Sequence, residues 1–283
     1  MTVLEAIQKS TEFLAKKGVE SPRLQTELLL AHQLKLPRMK LYLNFDRVLT
    51  TPETDGLREL IKRRAAREPL QHIVGSTNFC GHEIAVNKNA LVPRPETELL
   101  AELGWQFLAT SHQPQATALD FGTGTGCIAI ALAVKCPAAK ITALDISADA
   151  LALAKQNAEQ NKMADRIDFL LGDGFAAFNG KIQFDLLISN PPYIASVEIA
   201  TLEPEVKDFD PRGALDGGAD GLDFYRRLAT EAKPFLKPDG KLMIEFGDGQ
   251  ANDIKKIFAS EKWIVEAVQE DYSHRARILV ARI

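Results

Sequence analysis

A doubly wound, mostly parallel α/β sheet with a C-terminal antiparallel hairpin, preceded by a small helical domain, is the fold that this 283-residue sequence predicts. Three observations predict it. Apolar residues recur at helical spacing up to about residue 75, short apolar runs alternate with helical stretches from about residue 96, and a glycine-rich loop joins the first of those runs to the helix after it. The length exceeds one ordinary domain of roughly 100 to 200 residues, so a division into parts is expected. The pattern places a helical domain at 1–75, a β-hairpin linker at 76–95 and the α/β domain at 96–283.

In the first part, Val3, Ile7 and Leu14, then Leu24 and Leu28, then Leu57, Leu60 and Ile61 trace helix faces. Ser21-Pro22 and Thr51-Pro52 each offer a capping hydroxyl followed by proline at the first helical position. Residues 1–75 hold 13 Lys/Arg against 9 Asp/Glu and the remainder 21 against 29, net charges of +4 and −8. Lys62, Arg63, Arg64 and Arg67 gather that positive charge near the end of the bundle, where they meet an acidic partner or keep a helix face solvated.

The linker contains β-like pieces at His82–Val86 and Ala90–Val92, separated by Asn87-Lys88-Asn89, which predict a hairpin. Beyond it, strands are expected at 117–121, 141–145, 167–171, 184–189 and 240–246, with helices between several of them, the alternation of a parallel sheet with crossover helices. Two further strands, Trp263–Val268 and Arg277–Ala281, are close enough to form an antiparallel hairpin at the sheet edge.

With 46% hydrophobic and 25% charged residues, the composition is that of a globular protein and excludes disorder, collagen and coiled coil. The net charge of −4 argues against wholesale wrapping of nucleic acid. Cys80, Cys127 and Cys136 form no CxxC, and His32, His72, His82, His112 and His274 never fall at metal-ligand spacing, so no metal site and a reducing compartment are expected. The first 20 residues lack a basic start and apolar core, and no apolar run approaches the roughly 20 residues that span a bilayer. A soluble, cytoplasmic protein without membrane contact is expected.

The run 117–121 ends in Asp120-Phe121-Gly122-Thr123-Gly124-Thr125-Gly126, followed at once by a helix. Glycines permit a tight turn and let a ligand touch the backbone, while the helix N-terminus supplies positive potential. The spacing is GxGxG, not the dinucleotide GxGxxG, and a Walker loop would need Gly-Lys-Ser/Thr. The next run ends in Asp145, a position from which a carboxylate accepts ribose hydroxyls. The third is followed by Gly172-Asp173-Gly174-Phe175, offering an acceptor for an adenine amino group and a ring for its face. Singly, Asp145 reads as a helix cap and Asp173 as a turn former. Together the three loops resemble the class I S-adenosylmethionine-dependent methyltransferases, which implies S-adenosylmethionine as cofactor.

The run 184–189 stops at Asn190-Pro191-Pro192-Tyr193. Pro-Pro removes two backbone donors and stiffens the chain, so carbonyl oxygens there look outward for partners. An amide or aromatic amine is a poor nucleophile because its lone pair is delocalised. The Asn190 side-chain oxygen and the Pro191 carbonyl, gripping its hydrogens, would aim that lone pair at a methyl donor, and Tyr193 would cover the flat group. The plain alternative is that Pro-Pro ends a strand and Tyr193 packs nearby.

The tetrapeptide occurs in methyltransferases acting on adenine and in those acting on protein glutamine. Nearly the whole chain, including Phe79-Cys80-Gly81-His82, Leu91-Val92-Pro93-Arg94-Pro95-Glu96-Thr97-Glu98 and Ala214–Leu222 with Tyr225-Arg226, resembles the bacterial release factor glutamine methyltransferases. The resemblance implies methylation of the side-chain amide of the glutamine in the Gly-Gly-Gln loop of class 1 peptide chain release factors by a monomer. It also implies that the helical domain helps dock that substrate, that Gly122, Thr123, Gly124, Thr125, Gly126 and Asp145 hold the cofactor, that Asp173, Gly174 and Phe175 flank adenine, and that Asn190 to Tyr193 hold the glutamine. One departure is Gly174, where family members can carry tryptophan. Arg94–Glu98 also reads as a helix start, and Gly217–Gly221 as a substrate-side loop or a turn. An adenine methyltransferase of nucleic acid is the alternative, and the −8 of residues 76–283 argues against it.

Overall fold

In the computed structural model, which describes residues 1–110, 115–178, 180 and 182–283, the first helix begins where its sequence supplies a capping box. Thr2 accepts the Glu5 N–H at 3.2 Å, Glu5 accepts the Thr2 N–H at 2.9 Å, and α1 (Val3–Lys16) follows. After it come α2 (Pro22–Leu34), α3 (Arg38–Leu41), α4 (Thr51–Ala65) and α5 (Leu70–Val74). The cap of α4 is Thr50, not Thr51, because only that register puts Glu53 at the third helical position, from which it reaches back to the Thr50 N–H. Ser21 precedes Pro22 as expected but is left-handed (φ 47°), and its side chain makes no cap bond. Leu14, Leu29, Leu30, Leu41 and Leu57 fill the core between these helices.

Met1–Ser76 with Glu203–Phe209 forms one compact unit, and Thr77–Leu202 with Asp210–Ile283 the other. Inside the first unit the cation run is matched by the unit's own acids. Lys62 pairs with Glu59, Arg63 with Glu68, Arg64 with Glu205 at 2.6 Å, and Arg67 with Glu203 and Glu205 at 2.7 and 2.6 Å.

A hairpin of β1 (Ser76–Phe79) and β2 (His82–Ala85) replaces the expected pairing of 82–86 with 90–92. Cys80 and Gly81 both have positive φ (50° and 83°), the two-residue turn whose twist suits a hairpin, whereas residues 86–94 form no strand. Ala90 instead packs against Ala150 and Leu153.

In the second unit α6 (Pro95–Thr110) precedes β3 (Thr117–Phe121), α7 (Cys127–Lys135), β4 (Lys140–Asp145), α8 (Ala148–Gln160), β5 (Ile167–Leu171) and β6 (Phe184–Ser189). The short α9 (Pro204–Lys207) belongs to the first unit. The second continues with α10 (Asp223–Glu231), β7 (Leu236–Glu245), α11 (Ala251–Ser260), β8 (Ile264–Glu270) and β9 (Ala276–Arg282).

The seven strands lie in the order β5-β4-β3-β6-β7-β9-β8. The first five are parallel, and β9 runs antiparallel to both β7 and β8. This is the predicted doubly wound sheet with its terminal hairpin. Along β3 the pleat sends Ala118 into one apolar layer and Leu119 and Phe121 into the other. Strand order reverses at β3, between β4 and β6, so a crevice opens at their carboxyl ends. No helix among the described residues is long and apolar enough to cross a membrane. His112 lies outside the described residues.

Candidate active site

Three carboxyl ends meet at that crevice. The loop after β3 turns through Gly122, Gly124 and Gly126, all at positive φ (74°, 55° and 80°), before α7 begins. Asp145, at the end of β4, accepts the Gly124 N–H at 2.8 Å with Oδ2 and the Ser147 N–H at 2.9 Å with Oδ1. Each oxygen keeps a second lone pair for a ligand hydroxyl. Asp145 is not a helix cap, since Ser147 caps α8 by accepting the Ala150 N–H.

Beneath the loop lies Asp120, fully buried, whose Oδ2 accepts Thr123 Oγ1 at 2.6 Å and the Ala129 N–H at 3.1 Å while Oδ1 has no partner. Burial pushes its carboxyl up to about 7.

From the end of β6 comes Asn190-Pro191-Pro192-Tyr193. Ser189 ties this end to β3 by donating to the Phe121 carbonyl at 2.6 Å. Gln250 donates to the Tyr193 carbonyl at 2.9 Å, and Ile194 pairs with Leu215 and Gly217 backbone. The Gly217–Gly221 stretch is therefore packed against the tetrapeptide itself and the residue after it: a Cβ on Gly217 would stand 2.9 Å from the Pro192 carbonyl oxygen, and one on Gly221 would run into that of Tyr193.

These loops enclose a cavity of about 280 Å³, lined by Gly122, Thr123, Gly124, Thr125, Asp145, Asp173, Gly174, Asn190 and Pro192 from the predicted set. Gly126, Phe175, Pro191 and Tyr193 are not in the lining. Phe175 is a correction. It is 5% exposed and sits in the core, stacked on Phe235 at 4.6 Å, because the turn at Gly174 directs the ring inward to the apolar layer around Phe121. Tyr193 is half-buried. Part of its ring packs on the same layer, and burial raises its hydroxyl above the ordinary tyrosine range. Asp173 lines the cavity with its Oδ1 already accepting Arg227 Nη1 at 2.5 Å, which leaves acceptor capacity chiefly on Oδ2. The Arg227 guanidinium also occupies the space a Cβ at Gly174 would need.

Two family models match, the PrmC N-terminal domain at residues 5–75 and the methyltransferase small domain at residues 100–203. The release factor glutamine methyltransferase of Geobacter sulfurreducens is 44% identical over 259 residues, 91% of this chain and 88% of its own length. The chain belongs to the release factor glutamine methyltransferase family. Its relative from Chlorobaculum tepidum is 39% identical over 275 residues, 95% of this chain and 93% of its own. Among solved structures, a methyltransferase from Pyrococcus furiosus matches with a TM-score of 0.50 at 21% identity, over 71% of this chain and 89% of that one, a likeness of fold.

Sequence reasoning missed several members of this site. Ile146 lines the cavity at 70% exposure, and Phe224 and Arg227 come from α10. The available signal was an apolar residue directly after the acid that ends β4. Thr97, which no sequence pattern singles out as a site residue, is 3% exposed, lines the cavity and accepts Asn190 Nδ2 at 3.0 Å. Glu245, at the end of β7, is likewise 3% exposed. Its signal was an acid directly after the apolar run Leu242-Met243-Ile244.

Proposed function

We propose that this chain transfers the methyl group of S-adenosylmethionine to the side-chain amide nitrogen of the glutamine in the Gly-Gly-Gln motif of class 1 peptide chain release factors. The observation that carries it is that Asn190 and Pro192 line the same cavity as the glycine loop and Asp145. An amide gripped at the tetrapeptide would therefore sit beside whatever the loop holds. The cavity suits the cofactor: backbone N–H groups curve around the loop, Asp145 retains free lone pairs for ribose hydroxyls, and its volume of about 280 Å³ is near the lower end for ligand pockets.

When bound, S-adenosylmethionine supplies an electrophilic methyl group on a sulfonium. The residues of the chain do the rest. Gly122 to Gly126 and Asp145 hold the nucleoside, Asp173 and Gly174 flank adenine, and the Asn190 oxygen and the Pro191 carbonyl accept the two amide hydrogens. The lone pair is thereby aimed at the methyl group, and once transfer makes the nitrogen cationic it sheds a proton without a strong base. Tyr193 acts by packing, holding the tetrapeptide against the core.

In this reading residues 1–75 help dock the release factor, 76–95 join them to the methyltransferase domain at 96–283, and the enzyme works as a cytoplasmic monomer without nucleic acid. The −8 carried by residues 76–283 supports the last point. Incubation with labelled cofactor and either a class 1 release factor or duplex DNA tests it. Label on the Gly-Gly-Gln glutamine is expected, and label on adenine would reassign the substrate.

A further inference from the structure

Asn190 would work only if its amide faces the right way. Its oxygen must point to the substrate and its nitrogen away, yet the two ends are nearly the same size and shape, so packing alone does not choose between them. The choice has to come from hydrogen-bond polarity. Nδ2 of Asn190 donates to Oγ1 of Thr97 at 3.0 Å. Thr97 stands in the first turn of α6 but serves as no cap; its own N–H is spent on the Arg94 carbonyl, and its side chain is turned to the cavity wall at 3% exposure.

Behind both lies Glu245. Ser189 and Ile244 are register partners in β6 and β7, so the next residues along these strands, Asn190 and Glu245, emerge together at the carboxyl edge. The Thr97 and Asn190 side chains are near enough to the buried Glu245 carboxyl to favour its charged form, and its Oε2 has no hydrogen-bond partner.

We propose that Thr97 and Glu245 are positioning residues that hold the Asn190 amide with its oxygen toward the substrate nitrogen. This rests on the methyltransferase reading above. A carboxylate only accepts hydrogen bonds, so it draws the Thr97 hydroxyl proton toward itself. The Thr97 oxygen is then an acceptor for Asn190, and only the amide nitrogen satisfies it. Polarity then runs one way: the amide N–H donates to the hydroxyl oxygen, whose own proton is turned to the carboxylate side.

Protonation of Glu245 removes that direction, because a carboxylic acid also donates and the hydroxyl is free to turn. Burial pushes this carboxyl up to about 7. Glu96 on α6 raises it, Arg277 on β9 lowers it, and Tyr193 and Tyr225 are coupled to it by charge, the Tyr225 hydroxyl donating to the Glu245 backbone carbonyl at 3.0 Å. Turnover therefore rises with pH through the neutral range.

The test uses the full chain, labelled S-adenosylmethionine and a class 1 release factor, with wild type, Thr97→Val, Thr97→Ser and Glu245→Gln compared for kcat, KM, cofactor Kd and kcat against pH. Thr97→Val is nearly isosteric and is expected to lose about tenfold or more in kcat with KM and Kd within about twofold, and Thr97→Ser to recover most of it. Wild-type kcat is expected to rise through about pH 7, and Glu245→Gln to give a low, flat profile. A Thr97→Val enzyme at wild-type kcat, a serine variant no better than valine, or a Glu245→Gln profile that keeps the neutral limb overturns the assignment alone. A wild type that labels no release factor overturns the methyltransferase reading and this assignment with it.

Discussion

Oδ2 of Asp145 accepts the Gly124 N–H at 2.8 Å, which joins the acid ending β4 to the loop ending β3. Asp145→Ala removes this brace together with the proposed ribose acceptors. Cofactor affinity is expected to fall by about 1.5 to 3 kcal/mol, the usual worth of hydrogen bonds to a charged group. Isothermal titration that returns the wild-type affinity would take Asp145 out of the binding site.

Asn190→Ala removes a preorganised acceptor at the reacting centre. About a hundredfold loss of turnover, some 3 kcal/mol of barrier, is expected, with a much smaller change in cofactor affinity. Both quantities are measured on one folded sample, checked by circular dichroism. Turnover within a few-fold of wild type would falsify the mechanism, and parallel loss of cofactor binding would move Asn190 to the cofactor site.

Gly221, at φ 75°, lies where a methyl group would run into the Tyr193 carbonyl oxygen and come within 2.9 Å of Gln250 Nε2. Gly221→Ala is expected to cost about 1 to 2 kcal/mol through left-handed backbone strain and contact. Turnover is expected to drop about tenfold or more, because the tetrapeptide is displaced. Urea unfolding and kcat report the two effects, and a variant normal in both would show that this loop does not brace Tyr193.

Arg64 is 3% exposed and bonds Glu205 at 2.6 Å, Gln25, and the Glu68 carbonyl at 3.2 Å. Glu205→Gln leaves that buried guanidinium without an anion. A loss of about 1 to 3 kcal/mol is expected, toward the low end because two neutral partners remain. An unchanged urea midpoint at constant m would count against this account.

Asp120 titrates near 7 when folded, against an ordinary 3.8, because burial disfavours its charge. Between those values the folded protein holds a proton that the unfolded chain has released. The contribution to stability is thus full below about pH 4 and is lost as pH rises through about 7. Asp120→Asn has no such proton, so its unfolding free energy should gain on wild type by up to about 1.4 kcal/mol per pH unit in that window. A pH-independent difference would mean that Asp120 titrates normally.

The sequence by itself determined the sheet and the positions of the loops. The short buried runs Thr117–Phe121 and Phe184–Ser189 are local patterns, and the glycine spacing and Asn190–Tyr193 are local motifs placed at strand ends by chain order alone. Tertiary structure decided which side chains face one another. Thr97 and Asn190 are 93 positions apart, and Arg64 and Glu205 are 141 apart; nothing within a window of sequence records either pair. The hairpin at 76–85 escapes local pattern for a related reason: two β-like pieces flank Asn87-Lys88-Asn89, but the Cys80-Gly81 turn closes a tighter pair and leaves Ala90 to pack on α8. Phe175 and Arg227 follow the same rule. Whether an aromatic ring enters a cavity or a core depends on the apolar layer beside it, and here Phe121 and Phe235 offered the ring a partner while Arg227 took the cavity wall.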